Sequence, residues 1–305
     1  MQGADRIADA MDELEFRPSE VARWLKSGKT LALGLVVPDV TNPFFAAVVK
    51  GAESVANGAG YSVVLCNTDE SPDREHDVLA NIHGRVDGLL LAPARDDAET
   101  VESLDALGVP VVLVDRTLPD PGSTDSVLID NAGGAAAAAR HLLDLGHRRI
   151  ALISGPLDTT PGAERHDSFV ATCAEADVNV TVEHGEFRVQ GGYQAAMRLF
   201  GRAHAPTAVL AANNLMTVGL LRALHDLGVR VPDVASVIGF DDHLLADLID
   251  PPLTVIDRAT ETQGAVATRM LLARLSEAAS GAGRTVRLET NLIVRSSTGP
   301  PRGES

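Results

Sequence analysis

The stretch Leu31-Ala32-Leu33-Gly34-Leu35-Val36-Val37-Pro38-Asp39-Val40-Thr41-Asn42-Pro43-Phe44-Phe45 decides how the rest of the chain is read. Its first half is a near-continuous apolar run, the pattern of a parallel strand covered on both faces. At Pro38 the run breaks into polar and aromatic residues, and a helical pattern follows. A buried strand that ends in exposed chemistry belongs to an open α/β sheet, whose ligands sit beyond the carboxyl ends of the strands.

The same alternation continues outward from this stretch. Apolar strands are predicted at 31–37, 62–66, 86–91, 110–114, 149–153, 207–211 and 234–239. Helical patterns fall at about 44–58, 74–84, 98–107, 132–145, 165–176, 190–201, 215–227 and 260–278. Gly60, Gly108, Gly146 and Gly228 each follow a helix and precede a strand, the place of a left-handed cap. Strand-helix-strand repeats with right-handed crossovers build doubly wound parallel sheets. The number of strands, with a glycine-rich break near Asn131 to Gly134, implies two such α/β sheets in tandem.

Polar residues then gather at the strand tips. They are Asp39 and Asn42; Asn67, Thr68 and Asp69; Pro93; Asp115 and Arg116; Ser154 and Gly155; Asn213 and Asn214; Asp241 and Asp242. If the tips of the two sheets face each other, they line an interlobe cleft walled by Phe44 and Phe45. Arg165, Asn213 and Asp241 stand out because a planar donor fork, a mixed donor and acceptor, and a fixed acceptor together suit the vicinal hydroxyls of a sugar. The bland alternative for Asn213 and Asp241 is capping of the helices that follow.

Composition narrows the function. The 305 residues fit two or three compact units, with 45% hydrophobic and 22% charged residues. A formal charge of -16 argues against a body that grips nucleic acid directly. Yet Arg17, Arg23, Lys26 and Lys29 face only Glu20 between Phe16 and Thr30. There Ser19 can cap a short helix with Val21, Ala22 and Leu25 on one face. Such a helix can enter a minor groove, an apolar wedge between base steps and cations on phosphates. Residues 4–14 read as another short amphipathic helix. Cys66 and Cys173 give neither a disulfide framework nor metal spacing. No phosphate-loop, nucleophile-elbow or zinc motif occurs, so no cofactor, no metal and no catalysis are expected. His141, His147 and His225 lie at helix ends, where a solvated or dipole-matched role is the default. No apolar run is long enough for a membrane span or signal core, so a cytoplasmic protein is expected.

These residues resemble a known family. The runs Phe16-Arg17-Pro18-Ser19-Glu20-Val21-Ala22-Arg23-Trp24-Leu25, Leu33 to Asp39, Asn42 to Phe45, Val86-Asp87-Gly88-Leu89, Leu145 to Ile150, and Val237 to Asp242 with Pro251-Pro252-Leu253-Thr254 resemble the lactose/galactose repressor family of bacterial transcription regulators. The resemblance implies a core like the periplasmic sugar-binding proteins, two lobes crossed by three strands. It places Arg165, Asn213 and Asp241 at the family's sugar-contacting arginine, asparagine and aspartate, and the strand-tip reading adds Asp39, Asn42, Phe44, Phe45, Asp69 and Asp115 as expected effector contacts. The resemblance also implies a hinge helix contacting DNA through Arg17, Ser19, Val21, Ala22, Leu25 and Lys29, and a homodimer on palindromic operator DNA. The expected layout is 1–30 for the remnant headpiece and hinge helix, 31–130 with 259–284 for one lobe, 131–258 with 285–298 for the other, and 299–305 as a tail. The family's base-reading helices are missing from these residues, so specific operator binding is expected only of a longer form. Asn214 departs from the aspartate common after the asparagine.

Overall fold

The computed structural model describes residues 29–96, 98–119, 122–242, 246–276 and 281–301. The predicted helix over 4–14 and hinge residues Arg17, Ser19, Val21, Ala22 and Leu25 lie outside them.

The first sheet begins with β1 (Ala32–Val37), α1 (Pro43–Gly58), β2 (Ser62–Asn67), α2 (Pro72–Ile82), β3 (Gly88–Leu91), α3 (Ala98–Leu107), β4 (Val111–Val114) and β5 (Asp125–Ile129). The chain then crosses over to α4 (Asn131–Asp144), β6 (Ile150–Ser154), α5 (Thr160–Ala174), β7 (Thr181–His184), α6 (Val189–Phe200), β8 (Ala208–Ala211), α7 (Asn214–Asp226), β9 (Ser236–Phe240) and β10 (Thr254–Arg258). It returns through α8 (Thr260–Leu275) and β11 (Thr285–Leu288) before crossing a third time to β12 (Thr290–Ile293).

Both sheets repeat one strand order: β2-β1-β3-β4-β5-β11 in the first and β7-β6-β8-β9-β10-β12 in the second. In each, the order reverses between the first strand and the third, β1 and β3 or β6 and β8, the place where a crevice opens beyond the strand ends. The strands are parallel except β12, which runs antiparallel to β10 and departs from the wholly parallel expectation. An antiparallel edge is common on such sheets because an edge strand need not be fed by a crossover helix.

Three further expectations are corrected. Strand β11 pairs with β5 of the first sheet, Thr285 opposite Ser126 through Leu288 opposite Ile129, so the change of lobe expected at 285 falls after 288. The tail expected from 299 is tied at its first residue, where Gly299 N donates to Ser236 Oγ at 3.0 Å. Helix α5 starts at Thr160, earlier than predicted, because Thr159 accepts from Gly162 N and Pro161 sits in the first turn, where its missing N–H costs nothing.

Burial explains the apolar runs. The strands β1, β3, β5, β6, β8 and β9 are buried almost throughout, with helices on both faces of each sheet. The caps at Gly60, Gly108, Gly146 and Gly228 have φ of +78°, +65°, +93° and +67°, a region open to glycine without a Cβ clash.

Candidate functional site

The strand tips of the two sheets face each other, and Asn42, Phe44, Phe45, Asp115, Arg165, Asn213 and Asp241 line one small cavity with Glu70, Arg116, Pro161, Phe187 and Arg258. Asp39 and Asp69, expected in the same place, are elsewhere. The Asp39 carboxylate closes a local turn by accepting from Thr41 N and Oγ1 at 2.8 and 2.7 Å. Asp69 is exposed and pairs with Arg74 at 3.0 Å. Both are polar residues at a strand tip, and their turns aim them outward. Lys29 is exposed, before β1.

Each lining residue is placed by the end of an element. Asn42 caps α1, its Oδ1 accepting from Phe44 N at 3.0 Å, which seats both phenylalanines in the first turn. The two rings meet edge to face with centroids 4.7 Å apart. Asn213 caps α7 by accepting from Met216 N and also donates to Phe187 O, so the capping and cavity-lining readings are both true of it. Asn214 donates across the gap to Asn42 Oδ1 at 2.8 Å, a bond that an aspartate there could make only if protonated. Asp115 and Asp241 follow β4 and β9 with φ of +68° and +73°, a left-handed conformation that aspartate tolerates better than most residues.

Three buried arginines dominate the electrostatics. Arg165 donates to Asn131 Oδ1 at 2.7 Å and to Ala212 O at 2.6 Å, and its guanidinium lies 3.7 Å over the Phe240 ring. Its Nη2 has no protein partner. Burial and the nearby Arg258 push its pKa down to about 10, still cationic at neutral pH. Arg116 grips both oxygens of Glu70 at 2.8 Å and donates to Pro93 O and Ala94 O. Arg258 bridges Asp115 at 2.5 Å and Asp241 at 2.6 Å, with its guanidinium 3.6 Å over Phe44. Burial opposes the charge of Arg116 and Arg258, but Glu70 in one case and Asp241 with Asp115 in the other raise their pKa values. Three arginines thus face Glu70, Asp115 and Asp241, a balance that leaves no net charge for a ligand to neutralise.

Sequence reading missed Arg258, Phe187 and Glu70 as lining residues, and named Arg116 only as a strand tip. Thr254–Arg258 is a five-residue strand that breaks into charge at Asp257 and Arg258, and its apolar part is too short to mark it. Phe187 reaches the cavity from a turn with φ of +53°, signalled only by Gly185.

His147 corrects the solvated reading of the helix-end histidines. It is 1% exposed. Nε2 lies 2.9 Å from Gly299 O and so must carry the proton, while Nδ1 accepts from Thr207 Oγ1 at 2.9 Å. Burial lowers its pKa, with Gly299 opposing and His141 adding to the shift. His141 is lowered too, chiefly by burial.

Among the described residues no helix is long and apolar enough to cross a membrane. Residues 139–298 match the periplasmic binding protein-like domain. The ribose operon repressor of Escherichia coli (strain K12) is 35% identical over 277 residues, covering 89% of this chain and 84% of the relative. The HTH-type transcriptional repressor PurR of Photobacterium profundum is 33% identical, covering 96% and 88%. A LacI family transcriptional regulator from Enterococcus faecium, solved with bound ribose, has a TM-score of 0.79 and 28% identity over 88% of this chain and 99% of that one. Two repeated sheets, a polar cavity between their tips and relatives matched over nearly the whole chain lead to one conclusion: this protein belongs to the LacI family of bacterial transcription regulators.

Proposed function

We propose that the cleft binds a neutral monosaccharide of about the size of ribose and that its occupancy sets the affinity of a dimeric repressor for operator DNA. The observation that carries this reading is Arg165, whose buried Nη2 is an unpartnered donor beside Asn213 and Asp241. A buried donor without an acceptor costs roughly 1–3 kcal/mol, which a ligand hydroxyl would recover. Phe44, Phe45 and Phe187 supply flat apolar walls, and the balanced charges favour an uncharged polyol over a sugar phosphate. The ribose in the Enterococcus faecium regulator and the name of the Escherichia coli relative support the same class.

The cleft is assigned binding without turnover, acting in the cytoplasm beside the DNA. The lobes serve as the two moving bodies, and residues 17–29 as the hinge that reads their separation. Dimerisation is assigned to the edge strand β2, where Val64 and Leu65 are 41% and 44% exposed.

Calorimetry and thermal melts with D-ribose, cellobiose and a purine base test the reading. D-ribose should stabilise the protein by about 2.7 kcal/mol at 100 times its Kd and be recovered unchanged. Asn213→Ala should lose that stabilisation; an unaltered melting shift would remove Asn213 from the site, and no response to any sugar would overturn the proposal.

A further inference from the structure

The inner cavity is about 20 Å³, room for a single water and far less than a sugar ring. Directly beside it lies a second, open chamber of about 710 Å³ between the lobes. Phe44, Asp241 and Arg258 line both spaces and therefore form the partition. Of the three, only Arg258 has a long unbranched stem that can swing. Phe44 is fixed in the first turn of α1, and Asp241 is held by its backbone N–H, which donates to Ile256 O at 2.9 Å.

The same guanidinium ties the lobes together. Asp115 follows β4 of the first sheet and Asp241 follows β9 of the second, so a side chain bonded to both spans the gap. Those two carboxylates are also the acceptors that sugar hydroxyls would use. The outer chamber has carboxylates of its own: Asp242, Asp247, Asp257 and Glu261, Asp247 being paired with Arg295. Asp242 is engaged by Arg295 and Glu261 by Lys50. Burial first, with Asp242 and Asp241 adding, raises the pKa of Asp257 against the Arg258 backbone hydrogen bond and the charge of Arg295.

We propose that Arg258 is a gate. Seated between Asp115 and Asp241 it clamps the lobes and seals the inner cavity; withdrawn into the acidic chamber it joins the two spaces and frees both carboxylates for the effector. This regulation rests on the sugar-binding reading above, and it makes effector and Arg258 competitors for the same acceptors. Binding then carries the cost of unseating the side chain, because the apparent affinity is the intrinsic one reduced by the fraction of open molecules.

The test uses the full chain with Arg258→Ala, Arg258→Gln and Arg258→Lys, by small-angle scattering without ligand and calorimetry with D-ribose. The alanine and glutamine variants should show a larger radius of gyration and bind D-ribose roughly tenfold more tightly or better, the gain expected if about one wild-type molecule in ten is open. Lysine, which can hold only one carboxylate at a time, should fall between them and wild type, and keeps the test open should the other variants fail to fold. Unchanged scattering in the variants overturns the gate, as does weaker ribose binding, which would make Arg258 a ligand contact. Expanded variants with no ribose binding in any protein uphold the gate and overturn the sugar reading instead.

Discussion

Asp125 shows how a single side chain can carry a lobe. It is wholly buried at the start of β5 and accepts from Arg274 of α8 and from Arg284 just before β11, at distances down to 2.7 Å. Burial alone would raise its pKa, but the hydrogen bonds from Arg274 and Arg284 outweigh it and hold the carboxyl well below its usual range. A depressed carboxylate contributes stability that is present above its ordinary value of about 3.9 and lost as pH falls below it. Asp125→Asn should cost about 3 kcal/mol at pH 7 in urea melts, the low end for a broken buried pair because Arg284 reaches solvent. The gap to wild type should narrow below pH 4. His147 has a dependence of the same sign at higher pH: its folded pKa lies below the ordinary 6.5, so the unfolded chain takes up the proton first and stability falls as pH drops through that value. His147→Gln should flatten the stability profile between pH 7 and 5, measured by the same melts. At this scale the sequence was readable where chemistry is set locally. Asn42 and Asn213 follow strands and start helices, and both line the cavity. His147 was misread because its partners Thr207, Ser236 and Gly299 lie 60 to 152 residues away and leave no mark on its own neighbourhood.

Helices, and strands made of continuous apolar runs, were legible. All eight helices of the described residues had a periodic pattern in the sequence, whereas β5, β7, β10, β11 and β12, whose four or five residues mix polar and apolar, were not among the predicted strands. A strand that short owes its identity to a partner, and for β11 that partner is β5, with Thr285 paired to Ser126. The helix pairs, in turn, depend on glycine at their crossings. A Cβ at Gly51 would meet the Glu261 backbone, and one at Gly264 the carbonyl of Val48, so α1 and α8 touch main chain to main chain. Helices α6 and α7 repeat the device with Gly192 and Gly219. Gly264→Val should destabilise by about 1–3 kcal/mol or more, as overpacked sites do, and a melting temperature equal to wild type would contradict the crossing. At the β2 edge, Leu65→Asp should convert the proposed dimer into monomers in sedimentation while leaving the proposed sugar binding in place.

At the scale of the molecule, the tandem sheets were visible as a repeat of strand and helix, and the tips that carry polar residues do converge. The third crossing was expected a few residues early, since β11 stays with the first sheet, and what escaped was the arginine that sits at the second. Arg258 ends β10 immediately before α8 carries the chain back, so the residue bridging Asp115 and Asp241 sits beside a crossing segment. A rotation of the lobes must bend that segment and would pull on the same side chain. Closure is reinforced elsewhere by Arg188, which donates to Asp69 O at 3.2 Å, and by Thr117 N, which donates to Thr160 Oγ1 at 2.9 Å.

The late return of β11 has a consequence for how the protein is made. As the nascent chain leaves the ribosome, the first five strands emerge early, yet their sheet lacks its outer edge, and Asp125 lacks both arginines, until the chain has been translated through Leu288. The second sheet gains β12 and the anchor at Gly299 only moments later. Neither lobe can therefore mature far ahead of the other, and a message cut short before the codon for Leu288 would yield two unfinished halves in place of one good one.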